Sequence, residues 1–191
     1  TLMKVISGQY QPDSGDIHYN QQACHFASTR AAEAAGIAII HQELNLLPEL
    51  SVAENVFLGR ELRTRFGLVD YGAMHRETAA LLAQLALDVD PGTPVRRLRL
   101  GAQQVVEIAK ALSLNARVLI MDEPTSAITD HEVDSLFRLI RQLKSRGVGV
   151  IYITHKLDEL PQIADDVTVL RDGRFIAARK PGKLPRETVE A

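Results

Sequence analysis

Arg117-Val118-Leu119-Ile120-Met121-Asp122-Glu123-Pro124-Thr125-Ser126-Ala127-Ile128-Thr129-Asp130 is an apolar run that ends in two adjacent carboxylates, a proline and small polar residues. Residues 118–121 have the length and branching of a strand buried on both faces, as in a parallel sheet. Such a strand puts Asp122 and Glu123 at its carboxyl end, the edge where open α/β sheets bind ligands. Strand alternation aims the two side chains differently, so one can hold a hydrated Mg²⁺ while the other faces an attacking water. An ordinary charged corner between strand and loop looks the same in isolation, and the rest of the chain decides between them.

The chain has 191 residues, 46% of them hydrophobic, enough to bury a proper core in one domain with a smaller subdomain. A net charge of −2 gives no bulk attraction to nucleic acid or acidic lipid, and the Arg96-Arg97-x-Arg99 group reads as a solvated or partner-facing linker. Cys24 is the sole cysteine, which excludes an internal disulfide and a cysteine-based metal cluster and fits a reducing compartment. No apolar run approaches the roughly 20 residues that span a bilayer and no signal peptide is visible, so a soluble cytoplasmic protein is expected. Both ends read as cut. Residues 1–8 lack a methionine and begin as a helix already under way, and residues 180–191 are polar with no terminating element.

Gln11-Pro12-Asp13-Ser14-Gly15-Asp16 is a turn, followed by a short strand over 17–19. Ser28 caps a helix that Gly36 stops, and Ile37-Ala38-Ile39-Ile40 is a strand delivering Gln42 to its end. Ser51-Val52-Ala53-Glu54 is a capping box opening a helix that runs to Gly59. Asp70 caps another helix, with Met74, Leu81, Leu82 and Leu85 on one face, and a further helix after Gly101 carries Val105, Ile108, Ala109 and Leu112. Past the opening strand, Thr129-Asp130-His131-Glu132 is a second capping box, starting a helix with Val133, Leu136, Phe137, Ile140 and Leu143 inward. Residues 148–154 form a strand ending at His155, residues 156–163 a short helix, and Asp172-Gly173 the turn of a hairpin. Buried strands alternating with helices predict an α/β fold with a parallel sheet. Residues 51–114 are expected as a separate helical block.

Three strands thus end in residues of catalytic type: Gln42, the Asp122-Glu123 pair and His155. Phosphoryl transfer to water needs a metal ligand, a group that polarises water and a sensor near the γ-phosphate. Asp122 suits Mg²⁺, which prefers hard oxygens and keeps part of its hydration shell. Glu123 suits a general base, His155 a hydrogen bond to a γ-phosphate oxygen, and Gln42 a bridge between metal and water. His18, His25, His75 and His131 have no ligand spacing.

With these residues on the page, a resemblance is plain. Val118-Leu119-Ile120-Met121-Asp122-Glu123-Pro124-Thr125 resembles the Walker B motif of an ABC-type ATPase. Ser126-Ala127-Ile128-Thr129-Asp130 is similar to its D-loop, Tyr152-Ile153-Thr154-His155 to its H-loop and Ile40-His41-Gln42-Glu43 to its Q-loop. Leu98-Arg99-Leu100-Gly101-Ala102 occupies the signature position. Residues 41–61 and 103–112 look like the first ATPase half of the tandem sugar importers of the ribose, galactose, xylose and arabinose kind. The resemblance implies a P-loop NTPase-type (RecA-like) α/β core with an ABC helical subdomain and a small antiparallel β element. It divides the chain into 1–50 as part of the core, 51–114 as the signature subdomain, 115–180 as the catalytic core and 181–191 as the start of a linker.

The resemblance further implies ATP and Mg²⁺ as cofactors and assigns roles. Glu123 and His155 are catalytic, and Asp122, Gln42 and Thr1 hold the metal. Thr1, Gln42, Arg99, Gly101 and Asp130 contact nucleotide. Implied partners are a second ATPase half, transmembrane permease subunits reached through the segment after the Q-loop and, indirectly, a sugar-binding protein, with no nucleic acid. The implied place is the cytoplasmic face of the cell membrane, without a transmembrane segment.

Two departures bear on this. No Gly-x-x-x-x-Gly-Lys-[Ser/Thr] stands in these residues, and the family pattern would end near Thr1, so the fragment alone is expected to be inactive. The signature pattern Leu-Ser-Gly-Gly-Gln reads Leu98-Arg99-Leu100-Gly101-Ala102, which replaces a serine, a glycine and a glutamine whose surroundings hold phosphate. A non-hydrolytic regulatory or interaction module on the same fold and a soluble ABC ATPase outside transport are the alternatives.

Overall fold

The structure is a computed structural model that describes residues 1–180. The expected linker start at 181–191 lies outside the described residues. Its centre is a three-stranded parallel sheet of β3 (Ile37–Ile40), β4 (Val118–Asp122) and β5 (Gly149–Ile153), with β4 in the middle. The register sets Ile40 opposite Met121 and Asp122 opposite Ile153. Parallel pairing with β4 between its neighbours puts the ends of all three strands at one edge of the sheet.

Burial follows the alternation of β4. Leu119, Ile120 and Met121 are each 0% exposed. Leu119 and Met121 join the larger apolar cluster, while Ile120 joins a second one with Phe26, Ala32 and Ile37. The second cluster is roofed by α1 (Leu2–Ile6) and α2 (Thr29–Ala34), through Met3, Ile6 and Ala32. The larger is filled by α3 (Val52–Val56), α4 (Tyr71–Gln84), α5 (Leu100–Ser113) and α6 (Asp130–Ser145). Helices on both faces of a parallel sheet are the α/β arrangement expected from the sequence.

The capping residues act as their types dictate. Ser51 and Thr129 each form a complete capping box, with Glu54 and Glu132, while Asp70 Oδ1 accepts from Ala73 N at 2.8 Å and Ser28 Oγ from Ala31 N at 3.2 Å. Asn55, 0% exposed, ties the approach to α3 in place: its Oδ1 accepts from Leu47 N and its Nδ2 donates to the Leu47, Leu50 and Ser51 carbonyls. α5 packs on β3 as well as on α3 and α4, so one apolar cluster runs from the sheet into residues 51–114.

Several elements differ from the sequence expectation. β1 (Ile17–Tyr19) pairs antiparallel with an unexpected β2 (Gln22–Cys24), through a turn in which Asn20 and Gln21 both take positive φ. That turn lacks the glycine that usually marks it. α7 is only Leu160–Ile163, because residues 157–159 form a turn, with Glu159 N donating to Lys156 O, before the helix begins. α3 stops at Val56 rather than running on to Gly59. α5 is buried beyond its expected face, at Val106, Glu107 and Ala111 too, because sheet and helices enclose it. β6 (Val167–Arg171) and β7 (Arg174–Arg179) form the expected hairpin, with Asp172 and Gly173 at positive φ.

Gly8 closes α1 against the start of α2. Its φ is +73°, and a Cβ there would lie 2.5 Å from the Ser28 carbonyl oxygen, a backbone atom that carries the α2 cap. Gly147 also has positive φ (+84°) but open space around it. Gly8→Ala is therefore expected to lower the unfolding free energy by about 2–3 kcal/mol and Gly147→Ala by about 1 kcal/mol. Urea unfolding of the two variants checks this, and equal losses would contradict the close approach at Ser28.

Candidate functional site

Asp122 is the last residue of β4 and is half-buried beside the bend that follows. Glu123 makes that bend with φ 47°, a left-handed conformation unusual for a residue with a long side chain. Its N–H still donates to Ile153 O at 3.0 Å, prolonging the β4–β5 ladder by one bond. Its carboxylate then meets the next strand end, with Oε1 3.2 Å from His155 Nδ1. His155 is the more open partner, with 68% of its side chain exposed against 31% for Glu123. A half-buried carboxylate beside an exposed imidazole can orient a water and pass a proton toward solvent.

A polar network lies directly behind the pair. Glu159 Oε1 accepts from Thr125 Oγ1 at 2.6 Å, and Oε2 accepts from Tyr152 Oη and Thr154 Oγ1, each at 2.8 Å. Lys156 Nζ donates to Thr125 O at 3.0 Å and lies 3.8 Å from Glu159 Oε1. Burial and the neighbouring Glu159 carboxylate push the Tyr152 hydroxyl well above the usual tyrosine range, so it stays a donor. Helix α5 reaches the same corner, because Gln104 Nε2 donates to the Pro124 carbonyl.

The other candidate residues lie on separate elements. Gln42 is exposed, two residues past Ile40, at the same sheet edge. Thr1 precedes α1 and its side chain caps nothing. Arg99 precedes α5 and also makes no side-chain cap; Gly101 N donates instead to Glu132 Oε1 at 3.3 Å. Asp130 is the exposed first residue of α6. Among the described residues no hydrogen bond or ion pair joins Thr1, Gln42, Arg99 or Asp130 to the Glu123–His155 pair.

Among the described residues no three carboxylate, histidine or cysteine side chains form a metal cage. Asp122 offers one hard carboxylate donor of the kind that could hold an ion such as Mg²⁺, which keeps part of its hydration shell.

The residue types alone do not single out Thr125, Tyr152, Thr154 and Glu159 as a group. The usable signal is that Tyr152 and Thr154 share one face of a strand otherwise apolar. Glu107 is likewise unmarked in the sequence, since it sits on a helix among alanines and valines. It is buried under the stretch after Gln42, and its Oε1 lacks a partner. Burial raises its carboxyl above the ordinary range, with Lys110, the Asn45 amide and His41 pulling the other way.

A family profile described as ABC transporter matches residues 1–126. The chain is 57% identical over 178 residues, 93% of its length, to a putative ribose/galactose/methyl galactoside import ATP-binding protein of Burkholderia lata, and covers 35% of that protein. It is 53% identical over 189 residues, 99% of its length, to a ribose import ATP-binding protein of Rhodopirellula baltica, and covers 37% of it. The chain thus spans little more than a third of the length of the curated relatives it matches. Among solved structures it is similar to a nucleotide-free ATP-binding cassette from an ABC transporter, with TM-score 0.82, 22% identity and coverage of 94% of this chain and 74% of that one. It is also similar to the ADP conformation of another ABC transporter cassette, with TM-score 0.80, 24% identity and coverage of 99% and 76%. At those identities the structures speak for the fold.

Glu107 makes stability pH-dependent with a definite sign. A carboxyl raised by burial stabilises the fold while protonated, and that contribution is lost as pH rises from the ordinary value of 4.5 through the raised one. Glu107→Gln is expected to melt at a higher temperature than the unaltered protein at about pH 7.5, with the gap closing toward about pH 4.5. Thermal melts across that range check it, and a gap that widens on acidification would contradict the reading.

Proposed function

The chain belongs to the ABC transporter family, and from that membership we propose that it is part of the ATP-hydrolysing subunit of an importer for a monosaccharide. The observation that carries this reading is the Glu123–His155 contact of 3.2 Å, with Asp122 beside it at the end of the central strand. Glu123 activates the attacking water, and His155 holds that carboxylate and reaches a γ-phosphate oxygen. Asp122 would supply a protein oxygen to Mg²⁺, and Gln42 and the Thr1 hydroxyl would also serve that ion and the nucleotide. Bound Mg²⁺ would neutralise phosphate charge as the terminal group transfers.

Arg99, Gly101 and Asp130 face nucleotide held by a second ATPase half. Gly101 stands in the first turn of the fourteen-residue helix α5, whose amides suit an anion. The permease docks on the segment after Gln42. That segment runs into α3 and then Leu58-Gly59-Arg60, which wall a cleft of about 770 Å³ shared with Arg30, Lys110 and Arg117. A sugar-binding protein acts on the far side of the permease. No helix among the described residues is long and apolar enough to cross a membrane, which suits a peripheral position on the cytoplasmic face.

A regulatory module without hydrolysis is the second reading, favoured by one feature: the Gly101 amide is taken by Glu132 rather than left open. Turnover separates the two. In the full-length protein, Glu123→Gln is expected to lower kcat about 100-fold or more while ATP affinity holds. Hydrolysis at an unaltered rate would remove Glu123 from the general-base role, and a full-length protein that binds ATP without turnover would favour the regulatory reading.

A further inference from the structure

Glu159 is 3% exposed, lies just before α7 and is named in none of the roles above. A carboxylate taken this far out of water is costly unless its oxygens are satisfied. Here both are, and the donors share an origin. Thr125 stands two residues after Glu123; Tyr152 and Thr154 stand on the strand end that leads into His155. All three hydroxyls point at the one carboxylate, at 2.6 to 2.8 Å. A carboxylate, with two oxygens that each accept more than one hydrogen bond, can take all three donors at once. Hydrogen bonds to a charged acceptor are also about twice as strong as neutral ones.

The mechanical consequence is local. The turn after β4 and the segment after β5 are exposed to solvent at their tips, and among the described residues few bonds cross between them. The Glu123 N–H to Ile153 O bond and the Lys156 Nζ to Thr125 O bond lie on either side of the Glu159 network. Thr125, Tyr152 and Thr154 form the layer between, and Glu159 is the acceptor common to all three. Removing its carboxylate would take that layer of bonds away from the segments that carry Glu123 and His155, whose side chains stand 3.2 Å apart. Displacements near 1 Å are enough to cost about 100-fold in rate where reacting groups must be aligned.

We propose that Glu159 is a positioning residue: its buried carboxylate clamps the segments carrying Glu123 and His155 so that the two side chains stay in contact. The claim of contact stands on geometry alone; its effect on rate rests on the hydrolytic reading above. Glu159 touches neither nucleotide nor the reacting atoms in this account, so its effect travels through the clamp.

The test uses the full-length protein labelled with ¹⁵N in its histidine rings, the His155 signals being identified by their loss in His155→Gln. Glu123→Gln is expected to shift those signals when Glu159 is present, and the shift is expected to vanish in Glu159→Ala. The same response with and without Glu159 would overturn the proposal. Should Glu159→Ala fail to fold, Glu159→Gln decides by the same measurement, since it keeps the length but places amide donors against hydroxyl donors. In hydrolysis, Glu159→Gln is expected to lower kcat about tenfold with KM for ATP within about twofold. A rise in KM with kcat intact would overturn the positioning role. If the unaltered protein hydrolyses no ATP, the functional reading fails, and the histidine signals still decide whether Glu159 holds the pair together.

Discussion

The central strand is denied solvent on both faces, and that constraint organises the molecule. Leu119 and Met121 are locked into one core and Ile120 into the other, so no residue of β4 before Asp122 can carry chemistry. Polar function is driven to the first position where the strand leaves the sheet. Because β3 and β5 run parallel to it in close register, their own exits fall at the same edge. Gln42, the Asp122-Glu123 pair and His155 share one edge of the sheet for that reason, although up to 113 positions apart in the numbering from 42 to 155. Open parallel sheets bind ligands at such edges on the same grounds.

The helices do more than cover this sheet. α5 comes from the helical segment, yet its Gln104 side chain donates to the carbonyl of Pro124, immediately after Glu123. α6 begins just after the same turn, and its Glu132 closes its own capping box while accepting from Gly101 on α5. The Thr129 amide and hydroxyl hold the Glu132 carboxyl below the usual carboxylate range, which keeps it an acceptor for both helices. The turn, the start of α5 and the start of α6 therefore share hydrogen bonds. The helical segment is thus tied to the turn after the carboxylates by hydrogen bonds as well as by packing.

Much of this was legible in the residues. β3, β4 and β5 announce themselves as short apolar runs, and both capping boxes were readable because their geometry is local to four residues. The Asp-Gly hairpin was readable for the same reason. β2 was not, since the Asn20-Gln21 turn reaches positive φ without glycine. The late start of the helix read over 156–163 was hidden too: residues 157–159 form a turn in which Glu159 N donates to Lys156 O, a local choice that helix propensity does not register. At the site, the strand-end residues could be named from position alone. Glu159 and Glu107 could not, because a carboxylate's burial depends on what tertiary packing brings around it. Nothing within a few residues of Glu159 tells that Thr125 will arrive from 34 positions away.

The left-handed backbone at Glu123 has a further consequence for how the position can vary. Branched side chains such as valine, isoleucine and threonine are excluded there by sterics before any question of chemistry arises. Glycine, asparagine and aspartate suit the backbone best, but none of them extends a carboxylate as far as glutamate does. The bend thus narrows the mutational neighbourhood: what the chain tolerates conformationally and what the chemistry requires overlap in few residue types. On the reading of Glu123 as the general base, a substitution there would change both proton transfer and the turn, and comparing replacements would sort backbone geometry from acid–base chemistry.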